Sequence, residues 1–244
     1  MLRTIIVSET RLRLREGLTP ALAVALPLAL LLTFGLLPHA ASPSADLGGQ
    51  TSREYIAALA TAVAFAVLAL TMLPGVLSDY REKGVLRRLH ATPVRPTALL
   101  VAELAVMAGA SLVSLALMVG GGRIMLGTAL PRAGGWFALA AALCLLSMLA
   151  LGTLISAVAP SGRAGNALGV LAFFPSMFLA GVYTPYDTMP HGLQRVCDWT
   201  PLCAGLRAMR AAWSGHAPTA MELAIMTGYG LVATIAAAKL FRWE

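Results

Sequence analysis

Few side chains in this sequence are equipped for chemistry, and their spacing decides which chemistry is open to them. The four histidines, His39, His90, His191 and His216, stand apart from one another and outside the long apolar runs. No His-Glu-x-x-His and no Gly-x-Ser-x-Gly is present to organise a metal or a nucleophile, so the residues do not read as an enzyme. A phosphate-cradling loop needs Gly-Lys-Ser/Thr, and the only lysines, Lys83 and Lys239, stand in no such context. Two carboxylates fall inside apolar runs, Glu103 and Glu222. A group of that kind carries the proton or ion of a secondary exporter, because charge in hydrocarbon is costly unless it is used. Both lie near the ends of their runs, where snorkelling or pairing with an interfacial arginine also accounts for them. The densest charge is in SDYREKGVLRRLHATPVRPTALL, residues 78–100, which holds five of the eighteen basic residues.

The elements that must position these groups are membrane helices. Of the 244 residues 58% are hydrophobic and only 12% charged, against about 25% charged in a typical soluble domain. A span needs roughly 20 consecutive apolar residues. Leu18–Leu37, Tyr55–Leu77 and Trp136–Val158 contain no charge, and further runs cover Thr97–Gly120, Ala167–Tyr186 and Ala217–Ala238. The reading is an all-α membrane protein with six transmembrane helices. The first run is not a signal peptide: it is longer than the roughly 7–15 residues of a signal core, contains Pro20 and Pro27, and follows seventeen residues. No polar segment is long enough to fold separately, so residues 1–244 form one domain.

Orientation follows from the basic residues, which stay cytoplasmic when they flank spans in short loops. Arg3, Arg11, Arg13, Arg15, Arg81, Lys83, Arg87, Arg88, Arg95, Arg163, Lys239 and Arg242 fall on one side, and Arg53, Arg123, Arg132, Arg195, Arg207 and Arg210 on the other. Both termini are therefore expected in the cytoplasm. The net charge of +7 reads as an orientation signal, with no nucleic acid as a partner.

On the outer side, residues 187–215 are too long and too apolar for a plain loop. Leu193, Val196 and Cys197 have helical spacing. After Thr200 and Pro201, suited to cap and first turn, Leu202, Leu206, Met209 and Trp213 make a stripe opposed by Arg207 and Arg210. Two helices too short to span are expected to lie in or dip into the outer interface as a hairpin, with Trp199 and Trp213 suited to that depth. Cys144 reads as a small core residue. Cys197 and Cys203 can pair in an oxidising compartment, provided the chain bends between them, since residues six apart on one helix face different ways.

In the basic segment, Asp79 followed by Glu82 has the form of a capping box, and Asp79 with Lys83 is an i, i+4 ion pair of favourable polarity. A helix is expected to begin there, with Val85, Leu86 and Leu89 as its apolar face, and to end before Pro93 and Pro96. Such a helix suits either anionic membrane lipid or a cytoplasmic protein partner.

The run REKGVLRRLHATPVRPTALL resembles the segment between the second and third spans of ABC type-2 exporter permeases, which carry R-E-x-G-x-x-x-x-L-x-x-[ST]-P; Arg81, Glu82, Gly84, Leu89, Thr92 and Pro93 match. Ala180, Gly181, Pro185, Pro201, Leu202 and Arg210 fit the family's pattern leaving span five. Ala204 departs from it where an aromatic or polar residue is common, and Glu103 where a basic one is. The closest likeness is to bacterial drug- and antibiotic-resistance permeases of the plasma membrane. The resemblance implies an amphipathic N-terminal segment over residues 1–17 beside a coupling helix over 79–93 that docks on a separate ATP-binding subunit. Arg81, Glu82, Lys83, Arg87 and Arg88 would supply salt bridges there, Gly84 close approach, and Leu86 and Leu89 anchorage. It further implies ATP and magnesium on the partner, no cofactor on this chain, and a second permease chain. Thr33, Thr61 and Ser176 are candidates for a substrate path, and Pro27, Pro74 and Pro175 for kinks.

Overall fold

The computed structural model describes residues 7, 9–10, 18–37, 42, 50–84, 96–183 and 186–240. The coupling residues Leu86, Arg87, Arg88, Leu89, Thr92 and Pro93, with Pro185 and most of residues 1–17, lie outside the described residues. Helices α1 (Leu18–Gly35) and α2 (Ser52–Ala66) come first. A π-helical stretch, Val67–Met72, joins α2 to α3 (Leu73–Glu82). Then follow α4 (Pro96–Leu126), α5 (Gly134–Val158), α6 (Gly162–Leu179), a 3-10 turn (Tyr186–Thr188), α7 (His191–Asp198), α8 (Pro201–Trp213) and α9 (Ala220–Leu240). No strand occurs among the described residues.

Among the described residues four helices are long and apolar enough to cross a membrane: Ser52–Glu82 as one rod, Thr97–Leu126, Gly134–Val158 and Ala220–Leu240. The chain is a multi-pass membrane protein. Helices α1 and α6 have 18 residues each, about 27 Å at 1.5 Å per residue. Polar Arg163 and Asn166 occupy the first turns of α6.

Local chemistry sets the helix starts. Thr51 and Glu54 form a capping box on α2, at 3.2 and 3.1 Å. Thr219 and Glu222 do the same on α9, at 3.3 and 3.0 Å. Ser161 accepts from Ala164 N at 3.2 Å to cap α6. Each satisfies amides that a helix leaves without partners.

The Ser52–Glu82 rod is the axis of the core. Ala57, Ala58, Ala60, Ala62, Ala64, Ala66 and Ala69 are all buried, and these small side chains let neighbouring backbones close in. In the π stretch, Leu73 N donates to Leu68 O, five residues back. Pro74 has no N–H to give the preceding turn. Gly152 of α5 packs on the Ala69 carbonyl and Gly169 of α6 on the Leu70 carbonyl, while Gly165 faces Pro74 O.

Two expectations are corrected. No helix begins at Asp79. Helix α3 runs through Ser78, Asp79 and Tyr80 to Glu82, because nothing before Asp79 leaves helical geometry for a cap to act on. Gly84, at φ +65°, follows the helix end in the left-handed region. Second, of the two placements expected for the hairpin helices, α8 does not take the one flat on a surface. Leu202, Leu206, Met209 and Trp213 do form its stripe, but all are at most 3% exposed, and α8 packs among α2, α5 and α9. Trp213 donates to Ala129 O at 2.8 Å and meets Phe137 edge-on at 5.2 Å. Its indole N–H is thus satisfied by protein and needs no interface. Trp199 is 64% exposed.

Candidate functional site

The charged end of the Ser52–Glu82 rod is built from α3 and the turn between α5 and α6. Arg81, half-buried, donates from Nη1 to Ala157 O at 3.1 Å, one of the last-turn carbonyls that α5 leaves without a helical partner. The next residue, Glu82, accepts from Gly162 N at 2.8 Å, the first amide of α6. A cation meets a helix C-terminus and an anion a helix N-terminus, which is the favourable sense for both dipoles. Asp79 pairs with Lys83 at 2.7 Å, an exposed i, i+4 bridge of little energetic weight. Tyr80 donates to Glu9 Oε2 at 2.6 Å, bringing Glu9 against the same end. Ser78, buried, donates to Ser156 O at 3.4 Å.

Of the residues expected to form a coupling surface, the structure therefore places Arg81, Glu82, Lys83 and Gly84 together. Arg81 and Glu82 are directed onto the chain's own backbone. No described residue lies within 4 Å of where a Cβ on Gly84 would stand, and its φ of +65° favours glycine.

The opposite end collects the other set of arginines. Arg53 donates to Gly35 O at 3.0 Å and to Leu126 O, joining the last carbonyls of α1 and α4 to the first turn of α2. Arg210 Nε donates to Gln50 Oε1 at 2.9 Å and its guanidinium lies 4.6 Å from the Tyr55 ring centre, while Gln50 Nε2 donates to Arg210 O and Ser214 Oγ. The Tyr55 hydroxyl reaches Gly181 O at 3.1 Å. Arg207 pairs with Asp198 and, at 3.3 Å, with Glu222, and stacks over Tyr186 at 4.6 Å. The Tyr186 hydroxyl donates to Asp198 at 2.8 Å. Burial first, and then this bond to a carboxylate, push its phenol above the usual 10.

Between α7 and α8 the chain turns at Trp199 and Thr200, and this bend lets Cys197 and Cys203 form a disulfide with Cα atoms 5.7 Å apart. Both cysteines are buried. Beside it an apolar groove of about 600 Å³ runs along α9, lined by Trp199, Met221, Ile225, Tyr229 and Val232. A more polar recess with Arg195, Asp198 and Thr200 continues it.

The path candidates lie on three helices, α1, α2 and α6. Thr61 is fully buried and donates to Ala57 O, Ser176 donates to Ala172 O, and Thr33 is exposed on α1. Among the described residues no group of histidine, cysteine, aspartate and glutamate could hold a metal. Glu222 pairs with an arginine, as its place near a run's end suggested. Glu103 is the eighth residue of α4 and is fully buried.

Several participants escaped the sequence reading. Gln50, Tyr55 and Tyr186 carry no motif. The capping boxes at Thr51–Glu54 and Thr219–Glu222 do carry one, Thr-x-x-Glu before an apolar run. The Ser-Gly pair at 161–162 signals a helix start, but only the fold brings Glu82 to it.

Among curated proteins none matches the chain. The family model for the ABC-2 type transporter matches residues 2–213, everything through the last residue of α8, and the protein belongs to that family as a membrane permease component.

Proposed function

We propose that the chain is the permease subunit of an exporter that moves a hydrophobic or amphipathic substrate out of the cytoplasm or inner leaflet of a bacterial plasma membrane. Energy comes from a separate ATP-binding subunit that holds ATP and magnesium, and a second permease chain completes the path. Six spans with both termini in the cytoplasm fit the six helices of 18 residues or more among the described residues, counting Ser52–Glu82 as one. The residues 187–215 hairpin then lies outside, where an oxidising compartment suits its disulfide.

The observation that carries the reading, beside family membership, is the length of the second span. Its 31 residues reach about 46 Å at 1.5 Å per residue, against a hydrocarbon core of about 30 Å. The excess would carry Asp79, Arg81, Glu82 and Lys83 beyond the hydrocarbon, with the rest of the family's motif, Leu89, Thr92 and Pro93, following in the sequence. A partner would dock on that following stretch, with Arg87 and Arg88 as its charged contacts. The groove along α9, apolar with a polar end, supports an amphipathic cargo. Of the two carboxylates that a proton-coupled exporter could use, Glu222 is engaged in capping α9 and in pairing with Arg207.

The test is charge reversal at Arg87 and Arg88 in the reconstituted complex. Transport-linked ATP hydrolysis should fall at least tenfold. An unchanged rate with intact assembly would refute the docking role.

A further inference from the structure

We propose that Arg81 and Glu82 are positioning residues that transmit movement of the second span's end to α5 and α6, and are not contacts to the ATP-binding subunit. The inference rests on the exporter reading above. Its basis is the order of the two charges. Arg81 caps the C-terminal end of α5 at Ala157 O, 3.1 Å away, and Glu82 caps the N-terminal end of α6 at Gly162 N, 2.8 Å away. Consecutive residues thus hold both sides of one turn, each with the sign its helix end favours. Behind them Gly162 lies so close to Asp79 that an added Cβ would stand 3.0 Å from the Asp79 Cβ, and Gly165 faces Pro74 O. Span two and the 158–162 turn therefore meet without a gap, and displacement of α3 is handed directly to both neighbouring helices. Lys83, by contrast, pairs with Asp79 on its own helix.

The experiment uses the full chain, first alone in lipid nanodiscs and then with its cognate ATP-binding subunit. Alone, Glu82→Ala should raise hydrogen exchange of the peptide covering residues 158–165 at least fivefold, while Glu82→Gln, which keeps an acceptor oxygen, should raise it less than twofold. With the partner, a fluorophore on Tyr183→Cys, 63% exposed beyond the far end of α6, reports ATP-driven movement. Cys144 is buried and the other two cysteines are paired, so labelling is specific. Glu82→Ala and the swap Arg81→Glu/Glu82→Arg should lose at least four-fifths of the ATP-dependent signal, with partner binding and ATP hydrolysis within twofold of wild type. Glu82→Gln should keep about half. Loss of partner binding in step with the signal would assign these residues to docking and overturn the proposal, as would an unchanged signal or unchanged exchange. A wild-type complex without any ATP-driven signal would instead bring down the exporter reading itself.

Discussion

The glycines facing the Ser52–Glu82 rod permit a direct test of how tightly it is held. A methyl group on Gly165 would stand 2.6 Å from Pro74 O and 2.7 Å from Ser78 Oγ. A relaxed carbon–oxygen contact is about 3.3 Å, so Gly165→Ala must part α3 from α6 by about 0.7 Å. The Pro74 carbonyl is backbone and cannot rotate away, and Ser78 is buried with its hydroxyl on Ser156 O. Overpacking of this kind costs about 1–3 kcal/mol. Gly152 and Gly169 lie closer still to the Ala69 and Leu70 carbonyls, so their alanine variants should reach the top of that range. Gly109 and Gly228 are also helical but have nothing within 4 Å of the added carbon; there alanine should be neutral or gain up to about 1 kcal/mol from helix propensity. Thermal unfolding in one detergent, followed by loss of the near-ultraviolet signal, should separate the two sets by about 1–4 kcal/mol, the sum of those two effects. If Gly165→Ala and Gly169→Ala unfold with Gly109→Ala, the close approach of α6 to the π stretch is wrong.

Three further outcomes follow from the same contacts. Cys197→Ser should cost about 2 kcal/mol by the chain-entropy argument for so short a loop, and in the native protein the bridge should resist reductant until unfolding, since both cysteines are buried; ready labelling of both thiols after mild reduction would contradict the packing. The Tyr186 phenol should titrate above the usual 10 in an ultraviolet titration, and Tyr186→Phe should remove that component. Because its folded pKa is raised, its contribution to stability is complete below pH 10 and is lost as pH climbs through the folded value. Gly84→Ala should destabilise by about 1 kcal/mol through its positive φ, and Gly84→Asn by less, read by the same melts.

The sequence carried the spans because burial in hydrocarbon demands uninterrupted apolar runs, and stretches such as Tyr55–Leu77 and Trp136–Val158 are visible without any fold. It carried the α8 stripe for the same reason, since Leu202, Leu206, Met209 and Trp213 recur at helical spacing. What periodicity does not contain is the partner of each face. Trp213 reads equally well as an interfacial anchor and as a core residue; only the placement of Ala129 O and Phe137 decides it. Asp79 and Glu82 match a capping pattern, yet a cap acts only where the preceding backbone leaves the helix, and here it does not. Gly84 stands in the family motif, but its φ is a backbone property that residue type only permits.

The distribution of these contacts follows from where water is. At mid-depth no solvent competes for backbone groups, and a charged tie would carry a desolvation cost, so cohesion there comes from small residues that let carbonyls and Cα atoms meet. Gly152 and Gly169 on the π stretch are that solution. At both ends water is near, and arginines can reach helix-terminal carbonyls at little cost: Arg53 on Gly35 and Leu126 at one end, Arg81 on Ala157 at the other. The Ser52–Glu82 rod is therefore gripped at three levels, by backbone in the middle and by charge at its ends, and it packs on both α5 and α6.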